Sequence, residues 1–455
     1  MSPKVTAEVF HIPIDDENYL IYAPLRKAAF LGNAHTVNFL VDLFEGNQRG
    51  YDFEEHKLIE FLEHLEILNS QEEEKKPITQ FKGNFRPTGV TLFLTTACNL
   101  RCTYCYASAG DTPLKSMSLD TAKRGIDFIV KNAIEQNKPS FRLSYHGGGE
   151  PTTNWQVLVK SFEYAKRKAE QSKMLLHASS ATNGFLSDQQ IHWIASHLDG
   201  VSLSFDGLPQ IHDKHRVTKQ GEKSSHHIIK TIRSFDQLKF NYNIRMTVTH
   251  DQIAFLPDSV EFICANFNPQ RIQVEPAYQL GRWHDAPSAE TTDFIEAYRE
   301  AQFRAKRYDR EISYSAARLD LLTNHFCGVS QDSFSLSATG EVSGCYEVFS
   351  TDSPYANIFF YGKPRDQKTG YEFDLKTLDN LRNKGVENRD FCKSCFAKWH
   401  CAGDCYHKSL VVNGEEEFSG SERCHITREL IKDQLLNRIS EAGGLYWHEP
   451  PKIKS

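Results

Sequence analysis

The chain predicts an α/β fold built on a parallel sheet, and three observations carry that expectation. From about residue 86 to 315, short apolar runs alternate with amphipathic helical stretches. Near residue 316 this rhythm gives way to short, cysteine-studded pieces. The eleven cysteines are unevenly placed: none lies in residues 106–263, whereas seven fall between Cys327 and Cys424. The βα rhythm implies helices outside a parallel sheet, as either an open doubly wound sheet or a barrel. The cysteine-rich end marks a separate domain, giving the division 1–80, 86–315 and 316–455.

The elements follow in chain order. YLIYAPL (20–26) and KAAFLGN (27–33) read as two short strands. Helices follow over 35–46 and 53–68; in the second, Leu58, Phe61, Leu62, Leu65 and Leu68 recur at helical spacing. The charged stretch 71–80 reads as a linker. In the middle region, GVTLFLTTA (89–97), FRLSYHGGG (141–149), LLHASSATNG (175–184), GVSLSFDG (200–207), YNIRMTVT (242–249) and RIQVEPAY (271–278) read as strands. Helices are expected over 119–136 and 154–172, and Cys264 sits in another as a small core residue.

Composition narrows the function classes. The chain has 455 residues, 40% of them hydrophobic and 25% charged, with a formal charge of −6. That balance offers no general attraction for nucleic acid or anionic lipid. No run of about 18 apolar residues exists to span a membrane. The start, MSPKVTAEVF, lacks a basic and then apolar signal segment, so a cytoplasmic setting is expected. In such a reducing compartment clustered cysteines point to metal rather than disulfides.

Cys98-x3-Cys102-x2-Cys105 directly follows the first strand of the middle region. Three thiolates so spaced can hold three corners of a [4Fe–4S] cube and leave one iron open to a ligand. An open three-sulfur zinc site is the bland alternative. At the end of the next strand stands Gly148-Gly149-Glu150-Pro151, where glycines allow close backbone approach and a carboxylate can balance an ammonium.

The cysteine pattern with Tyr104, followed by this Gly-Gly-Glu-Pro turn, resembles the radical S-adenosylmethionine (SAM) superfamily. The resemblance implies a partial (β/α)6 barrel of TIM type, a SAM-binding [4Fe–4S] cluster on Cys98, Cys102 and Cys105, and SAM's amino group at Gly148–Pro151. It also implies polar contacts to SAM from later strand ends, for which Ser180, Asn183, Ser204, Asp206 and Arg216 are the candidates. Asn-Gly and Asp-Gly are also ordinary turn formers.

The C-terminal pattern is Cys327, Cys345, Cys392-x2-Cys395-x5-Cys401-x3-Cys405 and Cys424. It resembles the SPASM domain of enzymes that mature peptides and proteins. That resemblance implies two auxiliary [4Fe–4S] clusters, one on Cys392, Cys395, Cys401 and Cys424 and one on Cys327, Cys345 and Cys405. A zinc ribbon is the alternative for Cys392–Cys405. The first 80 residues look like a small winged-helix peptide-recognition module, whose edge region Tyr19–Gly32 would add a peptide strand; the alternative is a structural cap. His146 reads either as a residue facing the SAM site or as a structural core residue.

The implied activity is that of a peptide maturase. Reductive cleavage of SAM would yield a 5′-deoxyadenosyl radical that takes hydrogen from a ribosomally made precursor peptide, forming a thioether or carbon–carbon crosslink. A precursor with a leader sequence and a flavodoxin- or ferredoxin-type electron donor are the implied partners. The rivals are an anaerobic sulfatase-maturing enzyme and a non-catalytic electron-transfer protein.

Overall fold

In the computed structural model, residues 3–47, 50–79, 85–286, 290–328, 333–365, 370–414 and 418–447 are described. Two sheets organise them. The larger has eleven strands and is mostly parallel. Its parallel run comprises β4 (Gly89–Phe93), β5 (Ser140–His146), β6 (Leu175–Thr182), β7 (Gly200–Ser204), β8 (Tyr242–Val248), β9 (Arg271–Pro276), β10 (Ile312–Ser313) and β11 (Ser335–Leu336). The antiparallel strands β12 (Val342–Ser343), β13 (Phe360–Pro364) and β14 (Tyr371–Phe373) extend it. The order is β10-β9-β8-β7-β6-β5-β4-β11-β12-β13-β14, so β10 and β14 are edges and the sheet stays open.

The six strands expected between residues 89 and 278 are all present, with later ends trimmed. β4 stops at Phe93 because Thr95 and Thr96 turn their hydroxyls to the carbonyls of Lys115 and Pro113. Alternation explains the layers. Leu143 and Tyr145, Val201 and Leu203, Ile244 and Met246, and Ile272 and Val274 are buried on one face of the strands. Tyr145 there bonds to Leu158 and Ser161 of the helix Trp155–Ser172, which fixes that face as the helix side. The opposite face carries Ser144, Ser179, Asn243, Arg245 and Gln273 and lines a polar lumen. Cys264 is buried in the core on the helix Leu256–Asn266, as expected.

The smaller sheet departs from expectation. It has the order β1-β2-β3-β15, with β1 (Phe10–Pro13), β2 (Asn18–Ala23), β3 (Ala28–Asn33) and β15 (Leu445–Trp447). Sequence reading missed β1, a short run ending in proline, and β15, which reaches back from the far end of the chain to pair antiparallel with β3. The region Tyr19–Gly32 is therefore not a free edge: β2 lies between β1 and β3, and β3 between β2 and β15. The second helix ends at His64 rather than 68, because Ile67 and Leu68 turn back to pair with Thr6 and Val5.

The small sheet docks on the cysteine-rich region. Glu8 accepts from Trp399 Nε1 at 2.7 Å and pairs with Lys398. Tyr22 O–H meets His400 Nε2 at 2.5 Å with both side chains buried. His400 Nδ1 faces the carbonyls of Arg318 and Leu321, so that nitrogen carries the ring proton and Nε2 accepts from Tyr22.

Candidate functional site

Cys98, Cys102 and Cys105 sit on the loop after β4, at the carboxyl end of the parallel sheet, where open α/β sheets bind their ligands. The loop is held from several sides. Thr103 bonds His215 through its backbone N–H (2.9 Å) and its hydroxyl (2.7 Å). Arg282 donates to the carbonyls of Cys102 (2.9 Å) and Ala109 (2.5 Å) and pairs with Asp111. Asn183 donates one amide hydrogen toward Cys98 Sγ at 3.6 Å and another to Asn99 at 2.7 Å. Nothing in the spacing of Arg282, some 180 residues downstream of the cysteines it supports, announces this role.

The Gly148–Pro151 turn packs directly on this loop. A Cβ at Gly149 would lie 2.1 Å from the Ala97 carbonyl, and one at Gly148 would lie 2.2 Å from the Phe349 ring. Only glycine lets the two segments approach so closely. Glu150 turns inward: its carboxylate accepts from Thr152 N–H and O–H, Thr182 O–H and Asn183 N–H, and it is buried. Burial pushes its pKa up, against the pull of these four donors.

The remaining candidates divide. Ser204, in register with Arg245, lies on the lumen face. Ser180, in register with Tyr145, lies on the helix face and bonds to backbone carbonyls. Asp206 and Arg216 are buried against each other at 2.8 and 3.2 Å, with Tyr104 bonded to Asp206 and stacked under Arg216. His146 lies at the carboxyl end of β5, its ring 5.0 Å from that of Tyr346.

The three thiols sense one another electrically, and burial drives Cys98 up to about 12 and Cys102 up to about 11. Cys98 and Cys102 are thus held as neutral thiols in the bare chain, and loading a cationic centre would displace their protons. Soft donors, a hydrogen bond aimed at one sulfur and a glycine-cleared wall fit a [4Fe–4S] cluster. The C-terminal cysteines fall into two sets by the same criterion. Cys392, Cys395, Cys401 and Cys424 influence one another, as do Cys327, Cys345 and Cys405. Arg318 bridges the sets, donating to the carbonyls of Phe326 (2.7 Å), His400 (3.0 Å) and Cys401 (3.3 Å). Among the described residues, no group of three or more His, Cys, Asp or Glu is arranged around a single metal-ion position.

Residues 92–258 match the radical SAM superfamily. That match implies SAM and a [4Fe–4S] cluster as cofactors. Among individual proteins, the chain is 23% identical over 276 residues to the radical SAM cyclopropyl synthase TigE of Paramaledivibacter caminithermalis, covering 57% of this chain and 56% of that one. It is 28% identical over 228 residues to the sporulation killing factor maturation protein SkfB of Bacillus subtilis (50% and 51%). It is also 28% identical over 154 residues to a cysteine-type anaerobic sulfatase-maturating enzyme of Clostridium novyi (33% and 41%). The chain thus spans about half the length of these curated relatives. The fold is shared with anSMEcpe with bound AdoMet (TM-score 0.63, 17% identity, 78% of this chain and 96% of that one). It is also shared with Streptococcus suis SuiB bound to S-adenosylmethionine (TM-score 0.52, 14% identity, 92% and 99%). No helix among the described residues is long and apolar enough to cross a membrane.

Proposed function

We propose that the protein is a cytoplasmic peptide maturase that joins two side chains of a ribosomally made precursor, with a thioether as the favoured product. The observation that carries this reading is the division of the C-terminal cysteines into a four and a three, in a SPASM-like domain on which the N-terminal sheet docks. Two auxiliary clusters on those sets, in addition to the one on Cys98, Cys102 and Cys105, match the needs of a net oxidation. Closing the bond removes two hydrogens from the peptide, and their electrons need acceptors.

SAM and its cluster, when bound, supply one-electron chemistry able to open an unactivated C–H bond. The chain's own residues bind, orient and exclude water. Cys98, Cys102 and Cys105 would hold the cluster. Backbone carbonyls freed by Gly148 and Gly149 would take the ammonium of SAM, with Ser204 on the lumen wall beside it. Asn183 supports Cys98, whereas Glu150, Asp206 and Arg216 act through the loops they pin. A flavodoxin- or ferredoxin-type protein would supply the electron.

The similarity to anaerobic sulfatase-maturating enzymes supports a second reading, in which a peptide serine or cysteine becomes an aldehyde. The test is anaerobic incubation of the reduced, cluster-loaded protein with SAM and the precursor-type peptides encoded beside its gene. The expected result is 5′-deoxyadenosine together with a peptide lighter by two hydrogens and resistant to thiol alkylation. A carbonyl-reactive peptide would establish the second reading instead, and a peptide left unchanged would remove both.

A further inference from the structure

The segment that leaves β12 lies over the turn after β5. Ser343 pins its start, donating to the Cys345 carbonyl and accepting from the Cys345 N–H, both at 3.1 Å. Cys345 is buried, and from there the chain lays two rings on the large sheet. Phe349 is buried against Gly148, where an added Cβ would lie 2.2 Å from its ring. Tyr346 reaches the strands themselves. Thr91 donates to its hydroxyl at 3.3 Å, and its ring centre lies 6.1 Å from that of Phe93 and 5.0 Å from that of His146.

Those three partners place Tyr346 in the lumen. Thr91 is in register with Ser144 and Phe93 with His146, and Ser144 belongs to the lumen face. A ring with such neighbours would ordinarily be buried, yet Tyr346 is 43% exposed. The lumen wall nearby is open as well, since Ser179 and Arg245 are exposed. The contacts hold the ring still: it stands perpendicular to Phe93, at 89°, and tilted by 30° to His146. His146 is itself fixed, because the Gly147 N–H donates to its Nδ1 at 2.8 Å and leaves the ring proton on Nε2. A rigid aromatic face open to a polar cavity keeps apolar area in water, and covering it with a ligand recovers that free energy.

We infer that Tyr346 is a substrate-contacting residue whose ring receives an aromatic side chain of the substrate peptide beside the Gly148–Pro151 turn. This rests on the peptide-maturase reading and names a chemical preference of its substrate. The subsite wall is itself built of rings in tilted and perpendicular contact, the arrangements in which a further ring gains more than its buried area alone. An aliphatic chain gains only the area. The position suits the reaction, because Tyr346 packs on His146 at the end of β5 and directly follows Cys345 of the three-cysteine set. The other planar ring that enters such a site is the adenine of SAM, so the test must separate the two.

The probes are acetyl-Gly-Phe-Gly-amide and its saturated isostere, with cyclohexylalanine in place of phenylalanine. Binding to the cluster-loaded, SAM-bound protein is read by saturation-transfer NMR. The aromatic peptide is expected to bind about threefold more tightly, the order that a ring–ring contact supplies. Tyr346→Phe should keep that preference and Tyr346→Leu should abolish it, while the SAM dissociation constant in Tyr346→Leu stays within about twofold, less than the loss of such a contact. Equal binding of the two peptides to the wild type would overturn the inference, as would a preference that survives Tyr346→Leu. A preference lost equally in Tyr346→Phe would overturn it too, since the ring would still be present. So would a parallel loss of SAM affinity in Tyr346→Leu, which would assign the ring to adenine. If the preference holds but no precursor peptide is ever modified, the subsite stands and the maturase reading falls.

Discussion

Single side chains here do work that their sequence motifs do not reveal. Glu150 is the clearest, because its carboxylate gathers four donors from three residues around the turn. Glu150→Gln puts an amide N–H against at least one of those donors, and is expected to cost about 1–3 kcal/mol of stability in the cluster-free protein. Thermal denaturation would show it, and an unchanged midpoint would mean that the network does not depend on the charge. His212 is fully buried, accepting at Nδ1 from Asp206 N–H and so donating at Nε2 to Ser224, whose hydroxyl passes on to Arg216. Burial lowers its pKa to about 4, so the folded chain keeps the ring neutral while the unfolded chain protonates it. The stability this confers is complete above about pH 6.5 and falls as the pH drops toward 4, by about 3 kcal/mol at most. Denaturant titrations at pH 7 and pH 4.5 should therefore differ more for the wild type than for His212→Asn. The cysteine spacing and the Gly-Gly-Glu-Pro turn were legible in the sequence because both are local. The partners of Glu150, Arg216 and Arg282 were not, since they are supplied by loops that only the folded sheet brings together.

At the level of elements, the loop after β4 and the turn after β5 form one unit because Gly149 allows contact with Ala97. Gly149→Ala must push them apart. The expected result is folded protein with iron lost from the Cys98 set alone, which Mössbauer spectroscopy of the reconstituted variant would register. Full occupancy would show that the loop has slack. The six middle strands were readable from apolar runs of near-constant spacing. β1 and β15 were not, since the first is four residues ending in proline and the second is three residues whose partner lies at the other end of the chain.

Across the whole molecule, the N-terminal sheet and the cysteine-rich domain share buried polar contacts and do not behave as beads on a string. Residues 398–400, between Cys395 and Cys401, rest on Glu8 and Tyr22. Tyr22→Phe removes the donor to a buried His400 Nε2 and is expected to destabilise by about 1–3 kcal/mol. Deleting residues 1–79 should go further and free the four-cysteine set. Reconstituted iron is expected to fall from about twelve to about eight per chain, with the Cys98 cluster and SAM binding retained. Unchanged iron in the truncated protein would show the domains to be independent.

The pairing of β15 with β3 also sets an order in time. The sheet opened at Phe10 is finished only at Trp447, so its first three strands leave the ribosome long before their last neighbour exists. Until then β3 presents an unpaired edge, which a growing chain must shield. The large parallel sheet, with its neighbouring strands close in sequence, can form meanwhile. The N-terminal sheet, begun before the large sheet, is thus among the last parts to be completed. In pulse-labelled hydrogen exchange, the backbone amides of β3 that face β15 should gain protection after those of β5 and β6.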